Sequence, residues 1–375
     1  MGTVNPVPAG EVRIGYCYDA RALFGWSCWW RAPSPVYFAP ANGASRNQGK
    51  DEMSAAGVPI QPSLATIREA QKFFAKYFAE TRLMAAPFLS QRSAKNVYLK
   101  LETELPTGSF KVRGACYALA QRMKKETVRE VIASSTGNHG AAVAYAAKEF
   151  GVAARIFLPA NSNPVKRGKI AALGAAIVES GGGDLASAFR LAAEYAKQPG
   201  VYFLNDATDL DLPAGPATIA CEILEQLPRA SAIVVPMGDT ALIRGIAAAA
   251  KQVAPQVRII GVQAERAPAY YLSWKEGRVV ATETCDTIAD GLATRTPEAA
   301  NVRDVRQLVD DVMLVSEEQM LEAIAILLTE EHVVAEAAGA ASTAALLKAR
   351  EGCGDFPVLL VSGANVPRAV LKRAL

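Results

Sequence analysis

From Asn96 to the C-terminus, short apolar runs rich in β-branched residues alternate with longer stretches in which apolar residues recur at i, i+3 and i+4. The short runs predict strands at Asn96 to Glu102, around Val131-Ile132, and at Arg155 to Leu158, Ala176 to Glu179, Tyr202 to Asn205, Ile233 to Pro236, Ile259 to Gln263, Val312 to Val315 and Val358 to Val361. The longer stretches predict helices, clearest at Ser187 to Tyr195 and Glu317 to Glu330, with others at Ala141 to Phe150, Thr240 to Val253 and Asn365 to Leu375. Strands that alternate with helices are joined by crossovers, so the pattern predicts an α/β protein whose parallel sheets are flanked by helices. Gly181-Gly182-Gly183 falls between a predicted strand and a predicted helix and reads as a connector rather than a phosphate loop.

Residues 1–52 break this pattern. They hold Trp26, Trp29 and Trp30 with Cys17 and Cys28, followed by a polar stretch from Asn42 to Lys50 without periodicity. Arg13, Asp19 and Arg21 interrupt any signal-peptide core. The segment reads as a disordered or mis-called N-terminal extension upstream of Met53.

Composition narrows the function classes. With 40 basic and 37 acidic residues in 375, spread without long runs, the formal charge of +3 implies neither a nucleic-acid nor a membrane-surface partner. No apolar run reaches the length of a membrane span. The six cysteines show no CxxC pair, which predicts reduced thiols and a cytoplasmic setting, with Cys116 and Cys221 on apolar helix faces. The sequence has two histidines, His139 and His332, which give poor support to a histidine-based metal cluster or a His-dependent triad.

Two constellations carry chemistry. Lys111 follows the strand at Asn96 to Glu102 across a Pro106-Thr107-Gly108-Ser109 turn and stands in the first turn of a helix. The positive end of the helix disfavours an ammonium there, so a neutral, nucleophilic amine is expected. The second is Ser134-Ser135-Thr136-Gly137-Asn138-His139-Gly140, between the Val131-Ile132 run and the Ala141 helix. Its hydroxyls, the Asn138 amide and the helix N–H groups suit a carboxylate. Alone, such a loop is usually just a turn with an N-cap.

Together with Thr287-Ile288-Ala289-Asp290-Gly291-Leu292-Ala293, Glu336-Ala337-Ala338-Gly339-Ala340 and Ser362-Gly363-Ala364-Asn365, these motifs resemble the fold type II pyridoxal phosphate (PLP) enzymes, closest to threonine/serine dehydratase and serine racemase. The resemblance runs from about Ser63 to the C-terminus. It implies a two-domain α/β architecture: a large PLP-binding domain of residues 53–129 and 207–375, and a small domain of residues 130–206 carrying the asparagine loop. It implies that Lys111 forms the Schiff base with PLP, that Phe110 packs against the cofactor and that Asn138 bonds the pyridine 3′-oxygen. Ser362 is implied as the ring-nitrogen partner, and the loop Ser135, Thr136, Gly137, Asn138 and His139 as the binder of the substrate carboxylate. A hydroxyl at the ring nitrogen gives a weaker electron sink than a carboxylate would, which suits β-elimination. The bland alternative makes Ser362 a cap of the Asn365 helix. A homo-oligomer, dimer or tetramer, is also implied.

One motif departs from that family. Where the dehydratases carry four glycines, this chain reads Gly238-Asp239-Thr240-Ala241-Leu242, with Arg244 one turn further on. Side chains restrict a phosphate-binding loop, and Asp239 sets a negative charge in it. Thr240 offers a hydroxyl and Arg244 a compensating charge for Asp239 or the phosphate; alternatively Asp239 is an outward-facing N-cap. Glu265 matches one ligand of the cation site seen in racemases, but Tyr271 stands where an aspartate is needed, so no metal is expected.

The expected activity is that of a PLP-dependent ammonia-lyase, a dehydratase that converts L-threonine, L-serine or a related hydroxy amino acid to a 2-oxo acid and ammonia. The cofactor phosphate is the candidate proton donor to the departing hydroxyl. The alternatives are a threonine synthase-like or serine racemase-like enzyme, with Thr136 where the racemase has its second acid/base, and a non-catalytic PLP-fold binding or regulatory protein.

Overall fold

The computed structural model describes residues 61–375 apart from 161, 163, 182–184 and 350. The expectations for residues 1–52 and for Gly182-Gly183 lie outside these.

Among the described residues, ten strands and thirteen α-helices run in the order α1 (Leu64–Phe74), β1 (Leu83–Ala85), α2 (Pro87–Ser93), β2 (Tyr98–Leu101), α3 (Lys111–Lys125), β3 (Glu130–Ser134), α4 (Asn138–Phe150), β4 (Ala153–Pro159), α5 (Pro164–Ala172), β5 (Ala176–Ser180), α6 (Leu185–Tyr195), β6 (Val201–Phe203), α7 (Ala214–Gln226), β7 (Ala232–Pro236), α8 (Ala241–Val253), β8 (Arg258–Ala264), α9 (Ala269–Glu276), α10 (Ala299–Leu308), β9 (Asp311–Val315), α11 (Glu317–Thr329), α12 (Ala337–Lys348), β10 (Pro357–Val361) and α13 (Arg368–Ala374). The strands form two sheets. One has the order β1-β2-β10-β7-β8-β9, the other β5-β4-β3-β6. All pairings are parallel except β1 with β2, so the parallel-sheet expectation fails only at this three-residue edge. Every residue of β7 and β10 is buried, because helices cover both faces of a parallel sheet; hence these strands read as continuous apolar runs.

The helices approach closely where their side chains are small. Ala247 to Ala250 of α8 are all buried, and at Gly245 an added Cβ would collide with the Pro213 carbonyl at the head of α7. The C-terminal helix begins later than the periodicity predicts. Pro367 precedes it, and the Val366 N–H turns back to the Ala364 carbonyl at 2.8 Å, which takes Asn365 and Val366 out of the helix. Ser362 therefore caps no helix.

Beneath α3 lies a closed set of charges. Arg113 donates through Nε to Glu102 (2.8 Å) and through both Nη atoms to Glu222, and Lys100 donates to Glu222 at 2.6 Å. Lys100 and Glu102 are 0 % exposed, Arg113 2 % and Glu222 6 %. Thr81 and Thr218 hydroxyls complete the hydrogen bonding. Two cations and two anions balance, and Arg113 fixes the turn of helix that carries Lys111.

Among the described residues no helix is long and apolar enough to cross a membrane. Cys116, Cys221, Cys285 and Cys353 are free thiols, and the first two are buried as expected.

Candidate active site

In parallel sheets the crevices at the carboxyl ends of the strands collect ligands, above all where neighbouring strands send their connections opposite ways. β3 lies between β4 and β6 in such an arrangement. A cleft open to solvent at its mouth lies there. It draws Ser134, Ser135, Thr136, Gly137, Asn138, His139 and Asp206 from the smaller sheet. From the larger come Phe110, Lys111, Gly238, Asp239, Thr240, Ala241, Leu242, Glu336 and Ser362. Thus the sequence-selected residues converge, with Arg244 the exception.

Hydrogen bonds sew the Lys111 turn to the end of β10. The Phe110 N–H donates to the Ser362 carbonyl at 3.0 Å, and the Ala364 N–H to the Gly108 carbonyl at 2.9 Å. Gly108 has φ +71° with the Asn365 amide close against it, a left-handed position where a side chain would be strained. Asn365 in turn donates through Nδ2 to the Thr107 carbonyl (2.9 Å) and to Asn138 Oδ1 (2.7 Å). One amide thereby links both sequence constellations. Asn138 Nδ2 donates to Glu336 at 2.6 Å, which leaves its second N–H for a ligand.

The charge state of Lys111 corrects the sequence reading. Its Nζ is ion-paired with Asp206, a residue without a distinguishing sequence signal. Burial opposes the ammonium, but Asp206, Asp239 and Glu336 together outweigh it and raise its pKa. Nearby carboxylates thus overcome the helix N-terminus, because the pair is in contact whereas the helix supplies only a partial charge. Burial likewise opposes the Asp206 carboxylate, yet His139 and Lys111 hold it below the usual range.

His139 is buried, with Nε2 donating to the Leu204 carbonyl at 2.8 Å and Nδ1 3.9 Å from Asp206. Burial lowers its pKa. The ring is thus a wall behind Asp206, with its Nε2 proton committed to Leu204.

The altered loop also differs from expectation. Asp239 does not face outward as a cap; it lines the cleft, and its Oδ1 accepts from Thr294 Oγ1 at 2.9 Å. Burial and then Asp206 push its pKa up to about 6. Thr240 is the residue before α8, at φ +70° with its side chain buried. Arg244 does not neutralise Asp239. Its Nη1 reaches Asp304 at 3.4 Å and its Nε donates to Thr240 Oγ1 at 3.2 Å, so it braces the loop from behind. Gly238 is required, since a Cβ there would collide with the Gly291 carbonyl. Elsewhere, Glu265 is ion-paired with Lys348 at 3.0 Å. Among the described residues no group of three or more His, Cys, Asp or Glu converges as metal ligands would.

Residues 75–363 match the family described as pyridoxal-phosphate dependent enzyme. The chain is 36 % identical over 313 residues to an L-threonine ammonia-lyase of Thermotoga maritima, covering 84 % of this chain and 78 % of that one. It is 35 % identical over 309 residues to a catabolic L-threonine dehydratase of Staphylococcus aureus, covering 81 % and 89 %. Among solved structures, the threonine deaminase of T.th. superposes with a TM-score of 0.76 at 33 % identity, covering 82 % and 99 %. Maize serine racemase superposes with a TM-score of 0.78 at 29 % identity, covering 83 % and 96 %.

Proposed function

Because this chain belongs to the pyridoxal-phosphate dependent enzymes, we propose that it is an ammonia-lyase that eliminates water from L-threonine or L-serine and releases a 2-oxo acid and ammonia. The observation that carries this reading is the placement of Lys111 across one cleft from the Ser135-Thr136 loop, at the amino end of α4.

The donor set fits the cofactor. Lys111 supplies the amine that bonds it and Phe110 an apolar wall; Asn138 has an N–H to spare for the ring oxygen, and Ser362 a hydroxyl for the ring nitrogen. The free N–H groups at the start of α8 suit the phosphate. Asp239 is compatible with a dianion when it carries a proton, and its raised pKa brings that form closer to neutral pH. When bound, PLP supplies an electron sink that makes the amino acid's Cα–H acidic.

The chain's own residues do the rest. Ser135, Thr136 and the α4 N–H groups hold the substrate carboxylate, which orients Cα toward Lys111. Lys111 takes the Cα proton as a base, and Asp206 stabilises the ammonium that results. The enamine set free after water departs hydrolyses in solution.

Release of 2-oxo acid from a panel of L- and D-hydroxy amino acids tests this reading, with turnover expected for L-threonine and L-serine. Purified protein given PLP is expected to show a visible absorbance band that borohydride abolishes; no band would instead favour a non-catalytic binding module.

Ser362→Ala is expected to lower turnover with PLP still bound, whereas Ser362→Asp raises transamination relative to elimination. Product ratios unchanged in both would remove Ser362 from the ring-nitrogen role. Light scattering is expected to give a dimer or tetramer of the 39.7 kDa chain, and a monomer would remove the oligomer from this reading.

A further inference from the structure

A β-hydroxyl is a poor leaving group unless it is protonated as it departs, and one carboxyl in this cleft is placed for that task. The geometry points to Asp239 as the general acid that protonates the departing β-hydroxyl. The assignment rests on the lyase reading above.

Asp239 lines both the main cleft and the side chamber that opens from it, at their shared boundary with Lys111's partner Asp206 and with Ser134. Leu185, Phe189, Phe203 and Leu204 line the side chamber, with Leu204 buried and Leu185 and Phe189 open to solvent at its mouth. One carboxylate oxygen, Oδ1, is taken by the Thr294 hydroxyl, leaving Oδ2 as the atom to carry a proton.

Asp239 takes the place that the sequence led us to expect for the cofactor phosphate, and the chain's other acids in the cleft are committed elsewhere. Asp206 is ion-paired with Lys111, His139 donates its proton to the Leu204 carbonyl, Glu336 holds the Asn138 amide, and Asp290 stands exposed at the rim. The charged and titratable groups that face Asp239 are Asp206 beyond β6, Lys111 on α3, Glu298 before α10 and Tyr270 on α9. Burial and Asp206 favour its protonated form, while Lys111 and the Thr294 hydroxyl oppose it, with a result of about 6. Two carboxyls in one cleft are thus driven apart, one ionised and one able to hold a proton, as an acid and its counterpart require.

The step balances. Lys111 takes the Cα proton, and the electron pair left at Cα becomes the Cα–Cβ double bond. The Cβ–O bond breaks with its pair on oxygen, which takes the Asp239 proton and leaves as water. Lys111 is then an ammonium and Asp239 a carboxylate; one proton passed from the first to the second resets both.

The test compares two leaving groups in the PLP-loaded enzyme. Chloride departs without a proton, whereas hydroxide needs one. Asp239→Asn is expected to lose at least about 10²-fold more turnover with L-serine than with β-chloro-L-alanine. Thr294→Val removes a hydrogen bond that favours the ionised carboxylate, so the limb on which L-serine turnover falls with rising pH should move to higher pH.

A readout without turnover accompanies these. A carboxyl whose pKa is raised by folding destabilises the fold as pH rises from about 4 to 6, so Asp239→Asn should gain in melting temperature over the parent across that window. Equal losses on both substrates, or full L-serine turnover in Asp239→Asn, would overturn the assignment while leaving the lyase reading intact. An unmoved pH limb in Thr294→Val would do the same. Wild-type protein that eliminates neither substrate would overturn both.

Discussion

Lys111→Ala is expected to lower 2-oxo acid release by more than about 10³-fold, because it removes both the amine that bonds the cofactor and the base for the Cα proton. The effect should be chemical rather than structural. Lys111 sits at the lip of the cleft, with its side chain 18 % exposed, and the Asp206 it leaves behind is 19 % exposed and can take up water or a proton. Circular dichroism and melting temperature should therefore change little. Retained wild-type turnover would sink the mechanism; an unfolded variant would show that the Lys111–Asp206 pair holds the two sides of the cleft together.

The second large effect is expected away from the chemistry. Arg113→Met leaves Glu102 and Glu222 buried without their main cation, and breaking such a pair costs about 3–5 kcal/mol. Arg113 holds both carboxylates, and Glu222 has its pKa lowered by Arg113 and Lys100 despite burial. A carboxylate with a depressed folded pKa stabilises above its unfolded pKa, and that contribution is lost as pH falls through the folded value. The deficit of Arg113→Met in urea unfolding should therefore be largest near neutral pH and narrow toward pH 4. A deficit below about 1 kcal/mol would mean that water reaches the cluster.

That cluster also shows where sequence reading ends. The strand at Tyr98-Leu99-Lys100-Leu101 is legible, but a lysine inside it reads as solvent-facing. It is instead fully buried, and only the arrival of Glu222, 122 residues on, explains it. The same holds at the site. Lys111, the Asn138 loop and Ser362 announce themselves because each follows a strand and opens a turn or helix, a local pattern. Asp206 sits in Asn205-Asp206-Ala207-Thr208-Asp209, which reads as an ordinary polar turn, and its partner Lys111 lies 95 residues away. Arg244 misleads for a related reason. One helical turn from Asp239, it is the nearest cation in sequence, yet Asp304 on α10 reaches it in space. Local pattern fixes elements, whereas charge pairing is decided by which elements meet.

The close seam between α7 and α8 sets where this protein can be evolved toward other amino acids. With Gly245 against the Pro213 carbonyl and four buried alanines in succession, almost any enlargement there has no free volume to enter. Libraries directed at that seam should return mostly misfolded clones. The walls of the side chamber, Leu185 and Phe189 among them, are partly solvent-facing, so diversity placed there should survive selection.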